Sequence, residues 1–280
     1  MGGGSAKPGG RGGRRAPNVG GELRLGAPAL VTDFRRQGIR MDQQQTKTRG
    51  VADIVFLIDV SGSMAPAIDA LKANIGTFVE SLSKGDANNA APVRDWRAKA
   101  VGYRDFDHDE QPFVDNPFVN DVEALRAQLA GLQAEGGDDE PESLLDALFK
   151  VANMGQTEKG AQALDASKWR YRSDAARVVV VFTDASFKPT MSIAEAKGGG
   201  VQDVTNAIIN NRVILSLFAP DMEGYDELSQ IDKSEWEAIS YPGLDPQQAL
   251  VKFTSDQTNF KNTLRQLAAS VSKSAETIAL

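Results

Sequence analysis

The chain has no cysteine among its 280 residues, which excludes a disulfide framework and any thiolate metal site. It has one histidine, His108. Zinc normally draws on thiolate and imidazole, so a metal held here is held mainly by oxygen. No apolar run reaches the roughly 18 to 20 residues that span a bilayer, and the glycine-rich start lacks the apolar stretch of a secretory signal. The Met1-Gly2 opening has the form of a myristoylation start, but Ala6 stands where Ser or Thr is needed. No Gly-Lys-Ser/Thr triplet occurs, which removes an NTPase phosphate loop. No Gly-x-Ser-x-Gly occurs either, which with a single histidine removes a serine hydrolase. These absences give the expectation of a soluble, cytoplasmic protein with no membrane partner.

What is present is unevenly distributed. The formal net charge is -7, yet residues 1–50 carry 10 Lys and Arg against 3 Asp and Glu, leaving 21 against 35 for the rest. From Met1 to about Gly21 the chain is mostly Gly, Arg, Pro, Ala and Ser, too poor in large apolar groups to offset the entropy of ordering it. Residues 1–50 are expected to form a basic, largely disordered tail or a partner-binding arm, and 51–280 a single acidic domain. The tail's arginines lack aromatic interleaving and a folded reader, so any nucleic-acid contact is confined to it.

The body opens on Ala52-Asp53-Ile54-Val55-Phe56-Leu57-Ile58-Asp59, an apolar run of strand length ending in a carboxylate, as a strand buried on both faces requires. Similar runs occur at 97–103, 177–183 and 212–219. Between them apolar residues recur at helical spacing: Ile68, Leu71, Ile75, Phe78 and Leu82; Val122, Leu125 and Leu129; Leu144, Leu148 and Val151; Val201, Val204 and Ile208. Phe260, Leu264, Leu267 and Val271 predict a last long helix. Strands alternating with helices predict an α/β, doubly wound, mostly parallel sheet with helices on both faces. In such sheets ligands gather beyond the carboxyl ends of the strands, which gives weight to Asp59, Asp105 and Asp184.

After the first strand, Asp59-Val60-Ser61-Gly62-Ser63 places one carboxylate and two hydroxyls on a single turn before a helix. Hard oxygens with little net charge suit Mg²⁺, with Mn²⁺ or Ca²⁺ as alternatives. Two more loops belong at the same edge, Glu135 to Ser143 and Thr183-Asp184-Ala185. The pattern resembles the von Willebrand factor A domain with its metal-ion-dependent adhesion site, over roughly residues 51–275. The resemblance implies that Asp59, Ser61 and Ser63 bind the metal directly or through water, with Asp184 as the acidic residue of the later loop.

One departure stands out. The family's threonine in the second loop is missing, and Gly136-Gly137-Asp138 makes Asp138 the expected replacement ligand, with Asp139 as the alternative after a one-residue shift. A carboxylate in place of a hydroxyl lowers the positive field offered to an incoming acidic ligand. Together with Val101-Gly102-Tyr103-Arg104-Asp105-Phe106-Asp107, this loop resembles an intracellular subset from bacteria and protists. That subset implies a multi-protein system and association with an ATPase, kinase or protease.

Plainer roles compete at each position. Asp59, Ser61 and Ser63 could serve only as a helix N-cap, and Asp184 could only end a strand. Asp139, Glu140 and Glu142 read as a solvated helix start complementing the helix dipole. Arg104 and Asp105 read equally as a structural ion pair, His108 as a solvated loop residue, and Trp96, Trp169 and Trp236 as packing. The expected function is a non-catalytic adaptor that engages a partner's Asp or Glu at the metal. The alternatives are a metal-dependent phosphohydrolase, disfavoured because Ser61 stands where a second Asp is needed, and a structural assembly subunit with a stabilising metal.

Overall fold

Contacts divide the chain at Gln44, and every described residue lies in the unit Gln45–Leu280. The computed structural model describes residues 50–85, 91–137 and 140–276. The expected basic tail, apart from Gly50, lies outside them, as do Asp138 and Asp139.

The four apolar runs and their alternation with helices build the predicted architecture. Strands β1 (Val51–Asp59), β2 (Asp95–Tyr103), β3 (Phe113–Asp115), β4 (Ala176–Phe182), β5 (Val213–Ala219) and β6 (Glu235–Ala238) form one sheet in the order β3-β2-β1-β4-β5-β6. All neighbours pair parallel except β2 and β3. The helices are α1 (Ala65–Lys84), α2 (Val122–Gly131), α3 (Leu144–Ala152), α4 (Val201–Asn211), α5 (Tyr225–Ser229), α6 (Pro246–Ser255) and α7 (Gln257–Glu276).

Strand alternation divides the core between the two faces. Ile54, Phe56 and Ile58 of β1 face a cluster with α1, α2, α6 and α7, including Phe78, Leu125, Phe253 and Leu264. Val55 and Leu57 face the other cluster, with Leu145 and Leu148 of α3, Ile208 of α4 and Tyr225 of α5. Trp169 is fully buried and donates its Nε1–H to Val151 O at 2.9 Å, while Trp96 and Trp236 are half-buried. The packing role expected of the tryptophans holds for Trp169 outright.

Two differences from the sequence reading have local causes. The run at 212–219 starts one residue late, because Arg212 is the left-handed residue (φ 53°) that ends α4 and turns directly into β5. The edge strands β3 and β6 have only three and four residues, too short for an alternation to register.

This topology sets the carboxyl ends of β1, β2 and β4 side by side. Ile58 of β1 is level with Gly102 of β2 and Phe182 of β4, so Asp59, Arg104-Asp105 and Thr183-Asp184 emerge together.

Candidate functional site

Asp59 is fully buried and is fixed from two directions. The backbone N–H of Ser61 donates to its Oδ1 at 2.8 Å, and the Thr183 hydroxyl donates to its Oδ2 at 2.7 Å. That second bond ties the end of β1 to the end of β4. Ser61 and Ser63 then place their hydroxyls 3.2 Å apart, and Ser63 donates to Asp184 Oδ1 at 3.0 Å. Four of the five expected ligands thus meet in one chain of contacts. The fifth, Asp138, lies outside the described residues.

The plain capping role does not account for this cluster. The N-cap residue of α1 is Met64, and neither it nor Ser61, which precedes the short 3-10 turn Gly62–Met64, makes a side-chain cap bond. The Ser63 hydroxyl bonds to Asp184 and the Ser61 hydroxyl to Ser63, not to the orphan N–H groups that a cap would satisfy.

The second loop closes on the first through backbone. Gly62 N–H donates to Gly136 O at 3.0 Å, and Glu135 N–H to Val60 O at 3.0 Å. Gly137, at φ +81°, packs so close that a Cβ there would lie 2.5 Å from Ser61 Cβ and 3.5 Å from Glu142 Oε1. Only a residue without a side chain allows this approach.

Glu142 corrects the sequence reading. It was expected to be part of a solvated helix start, yet it is 2% exposed. Its N–H donates to Ser186 O at 3.0 Å, and its carbonyl accepts from Lys188 N–H at 2.9 Å, so two bonds to the β4–α4 segment turn its side chain inward toward Gly137 and Ser61. Glu140 is exposed as expected. Nothing in the sequence separates an inward from an outward carboxylate at a helix start; the only available signal was the neighbouring Gly136-Gly137, which marks a close approach.

Around this centre the remaining charges pair off. Lys188 bonds to both Asp105 and Asp107, and Ser143 donates to Asp105 Oδ1 at 3.2 Å. Arg104 pairs with Asp109 at 3.6 Å and donates to Glu135 O. Arg104 and Asp105 are therefore structural, but each has its own partner. His108 is 64% exposed on this loop, in keeping with the solvated role expected of it.

The electrostatics of the centre favour a cation. Burial raises the Asp59 carboxyl above the usual aspartate range despite its hydrogen bonds. Burial, and next the Asp59 charge, push Asp184 up to about 6. Asp184 Oδ2 is buried without a hydrogen-bond partner. Two adjacent carboxylates, one orphaned oxygen and two hydroxyls fit a hard divalent ion. Among the described residues no three carboxylate or imidazole side chains converge as a metal cage, consistent with a donor set that draws half its oxygens from serine. Beneath it, burial holds the Tyr103 and Tyr225 phenols neutral, well above their ordinary range, and Tyr225 donates to Ala185 O at 2.8 Å.

Comparison with known proteins adds three findings. Residues 53–266 match the family model described as von Willebrand factor type A domain. No curated protein sequence matches significantly. Among solved structures, the chain is similar to proximal thread matrix protein 1 from the mussel byssus, at 13% identity and a TM-score of 0.43, covering 76% of this chain and 47% of that one. It is also similar to the pilus adhesin SpaC of Lactobacillus rhamnosus GG in its open conformation, at 12% identity and a TM-score of 0.43, covering 80% and 31%. The chain thus spans about half of the first and under a third of the second. These structures come from a byssus and a pilus, so the cytoplasmic address expected from the sequence is withdrawn. Its grounds were weak physically: a lack of cysteine does not fix a compartment. No helix among the described residues is long and apolar enough to cross a membrane.

Proposed function

We propose, from the premise that this chain belongs to the von Willebrand factor type A domain family, that it is a non-catalytic protein-binding module that engages its partner through a divalent metal, Mg²⁺ first, at Asp59, Ser61, Ser63 and Asp184. The observation that carries this reading is the meeting of those four side chains with Asp184 Oδ2 buried and unpartnered. Ser61, Ser63 and Asp184 offer oxygens directly. Asp59, with both oxygens already accepting bonds, acts through water. Asp138 remains the proposed ligand from the second loop, and Glu142, turned toward the same spot, is a further one. The bound ion supplies a Lewis-acidic position that an Asp or Glu of the partner completes. An ATPase, kinase or protease is the finer expectation for that partner.

The phosphohydrolase alternative requires Asp59 to attack a phosphorus atom. Its full burial gives a phosphorus atom in solution no approach to its oxygens. The structural-subunit alternative keeps the metal and drops the partner, and a single pair of measurements separates it from the adaptor.

Calorimetric titration of Mg²⁺ into the chain is expected to show one site, lost in Asp184→Ala. Partner capture from the source organism is expected to fail in EDTA and with Asp59→Ala. Capture indifferent to both, with Mg²⁺ still bound by the native chain, would favour the structural role. No Mg²⁺ site at all would sink both.

A further inference from the structure

The loops at the carboxyl ends of the strands carry acids beyond the candidate ligands. Glu110 stands on the turn between β2 and β3, Glu135 and Glu140 on the loop before α3, and Asp221 and Glu223 between β5 and α5, all five exposed. Contacts tie each loop to the centre. Glu135 N–H donates to Val60 O at 3.0 Å, and a Cβ on Gly136 would lie 3.4 Å from Asp109 Oδ1. Gly224, next to Glu223, packs on Phe187 of the loop after β4 so closely that a Cβ there would lie 2.5 Å from the ring.

The cations of these loops do not match the acids. Arg104 is paired with Asp109, and Lys188 with Asp105 and Asp107, and both cations are mostly buried. His108 faces Asp105 at 3.8 Å. Within 104–112, 132–143, 183–200 and 220–224, Lys197 is the only exposed Lys or Arg among the described residues. None of the five exposed acids is in an ion pair among the described residues. Glu140 accepts a bond of 3.4 Å from the neutral Ser186 hydroxyl.

This surplus bears directly on the centre it surrounds. Burial raises the Asp59 and Asp184 carboxyls, and the Glu140 charge adds to the rise in both. Asp184 is 4% exposed and its Oδ2 has no hydrogen-bond partner, a buried acceptor that a cation would satisfy. A ring of uncompensated acids strengthens the hold on that cation, yet it repels a carboxylate arriving from outside. Cations beside the incoming carboxylate cancel the repulsion and are themselves drawn in by the ring.

We propose that the partner segment read at this edge is cationic: one Asp or Glu for the metal, with Lys or Arg on both sides of it for Glu110, Glu135, Glu140, Asp221 and Glu223. The inference rests on the metal reading above and adds to it the charge that selects among acidic partners.

The test is fluorescence anisotropy on the full chain in Mg²⁺ with four labelled, end-blocked pentapeptides. Three carry a central Asp flanked on each side by two Lys, two Ser or two Glu, and the fourth carries Asn between the Lys pairs. The Lys-flanked Asp peptide is expected to bind at least tenfold tighter than the Ser-flanked one, and the Glu-flanked one at least tenfold more weakly than that. The Lys preference is expected to shrink as salt rises from about 0.05 M to about 0.3 M. Lys- and Ser-flanked peptides that bind alike would overturn the proposal and leave the metal reading standing, as would no binding by any of the four while Mg²⁺ still binds. EDTA and the Asn peptide are each expected to cost at least tenfold; an Asn peptide as tight as its Asp counterpart would sink the metal reading, and the proposal with it. Glu110→Lys/Glu223→Lys, on two separate exposed loops, is expected to weaken the Lys-flanked peptide at least tenfold while the chain still takes up one Mg²⁺. A folded double variant that binds this peptide as well as the native chain would overturn the proposal. Glu110→Gln/Glu223→Gln, the milder pair, is expected to weaken it in the same direction.

Discussion

Burial and the neighbouring Asp59 hold the Asp184 carboxyl up to about 6, so the metal-free fold takes up a proton there that the unfolded chain, near 3.8, does not. A raised carboxyl contributes stability below the unfolded value and loses it as pH rises through the folded one. Asp184→Asn removes that loss. In EDTA at pH 7 the variant is expected to be more stable than the native chain by up to about 3 kcal/mol, with the gain fading toward pH 4, read from melting curves at both pH values. A variant less stable than native at pH 7 in EDTA would contradict the strained-carboxylate account. Gly137→Ala tests the other half of the centre. Its left-handed φ and the 2.5 Å approach to Ser61 Cβ leave no room for a methyl group. A loss of about 1–2 kcal/mol or more, together with weaker Mg²⁺ binding in a calorimetric titration, is the expected outcome. At this scale the site was largely legible. Asp59, Ser61, Ser63 and Asp184 could be found because each follows the end of a long apolar run, and position after a buried strand is written in the sequence. Glu142 could not, because its inward turn depends on backbone bonds to Ser186 and Lys188, more than 40 residues later in the chain.

Among the elements, the central strands were legible for the same reason that they are central: a strand covered on both faces reads as a near-continuous apolar run. β3 and β6 lie at the edges, where water substitutes for a neighbour and the pattern lapses. The amino end of the sheet shows what holds the central strands in place apart from apolar packing. Asp53 of β1, fully buried, accepts from Arg97 of β2 through Nε (3.0 Å) and Nη2 (2.6 Å). It also accepts from the backbone N–H (2.7 Å) and Nη1 (2.9 Å) of Arg170, which precedes β4. One carboxylate therefore links β1 to the chain on both its sides. Asp53→Ala would leave two guanidiniums buried with no carboxylate between them, and a loss of about 3–5 kcal/mol is expected, measured as a shift of the urea midpoint. Asp69→Ala, which removes an exposed partner of Lys72 on α1, is the control and is expected to change the midpoint little.

Over the whole molecule, the candidate metal and a proton compete for the Asp184 oxygens, which links ion binding to folding. A ligand that binds only the folded chain stabilises it by RT ln(1 + [L]/Kd), about 2.7 kcal/mol at a hundredfold excess over Kd. For a domain of this size that corresponds to roughly 5–10 °C in melting temperature. The Asp184 carboxyl is raised to about 6, so near pH 5 a proton occupies much of its population and Mg²⁺ must displace it, whereas near pH 7.5 Asp184 is already ionised. The Mg²⁺-induced rise in melting temperature is therefore expected to be larger at pH 7.5 than at pH 5. In Asp184→Asn the native dependence on Asp184 ionisation is expected to vanish along with most of the rise. Scanning calorimetry across that pH range, with and without Mg²⁺, reads both effects together. A rise that is equal at the two pH values, or that survives intact in Asp184→Asn, would place the ion elsewhere on the domain and detach the fold's stability from the edge where β1, β2 and β4 end.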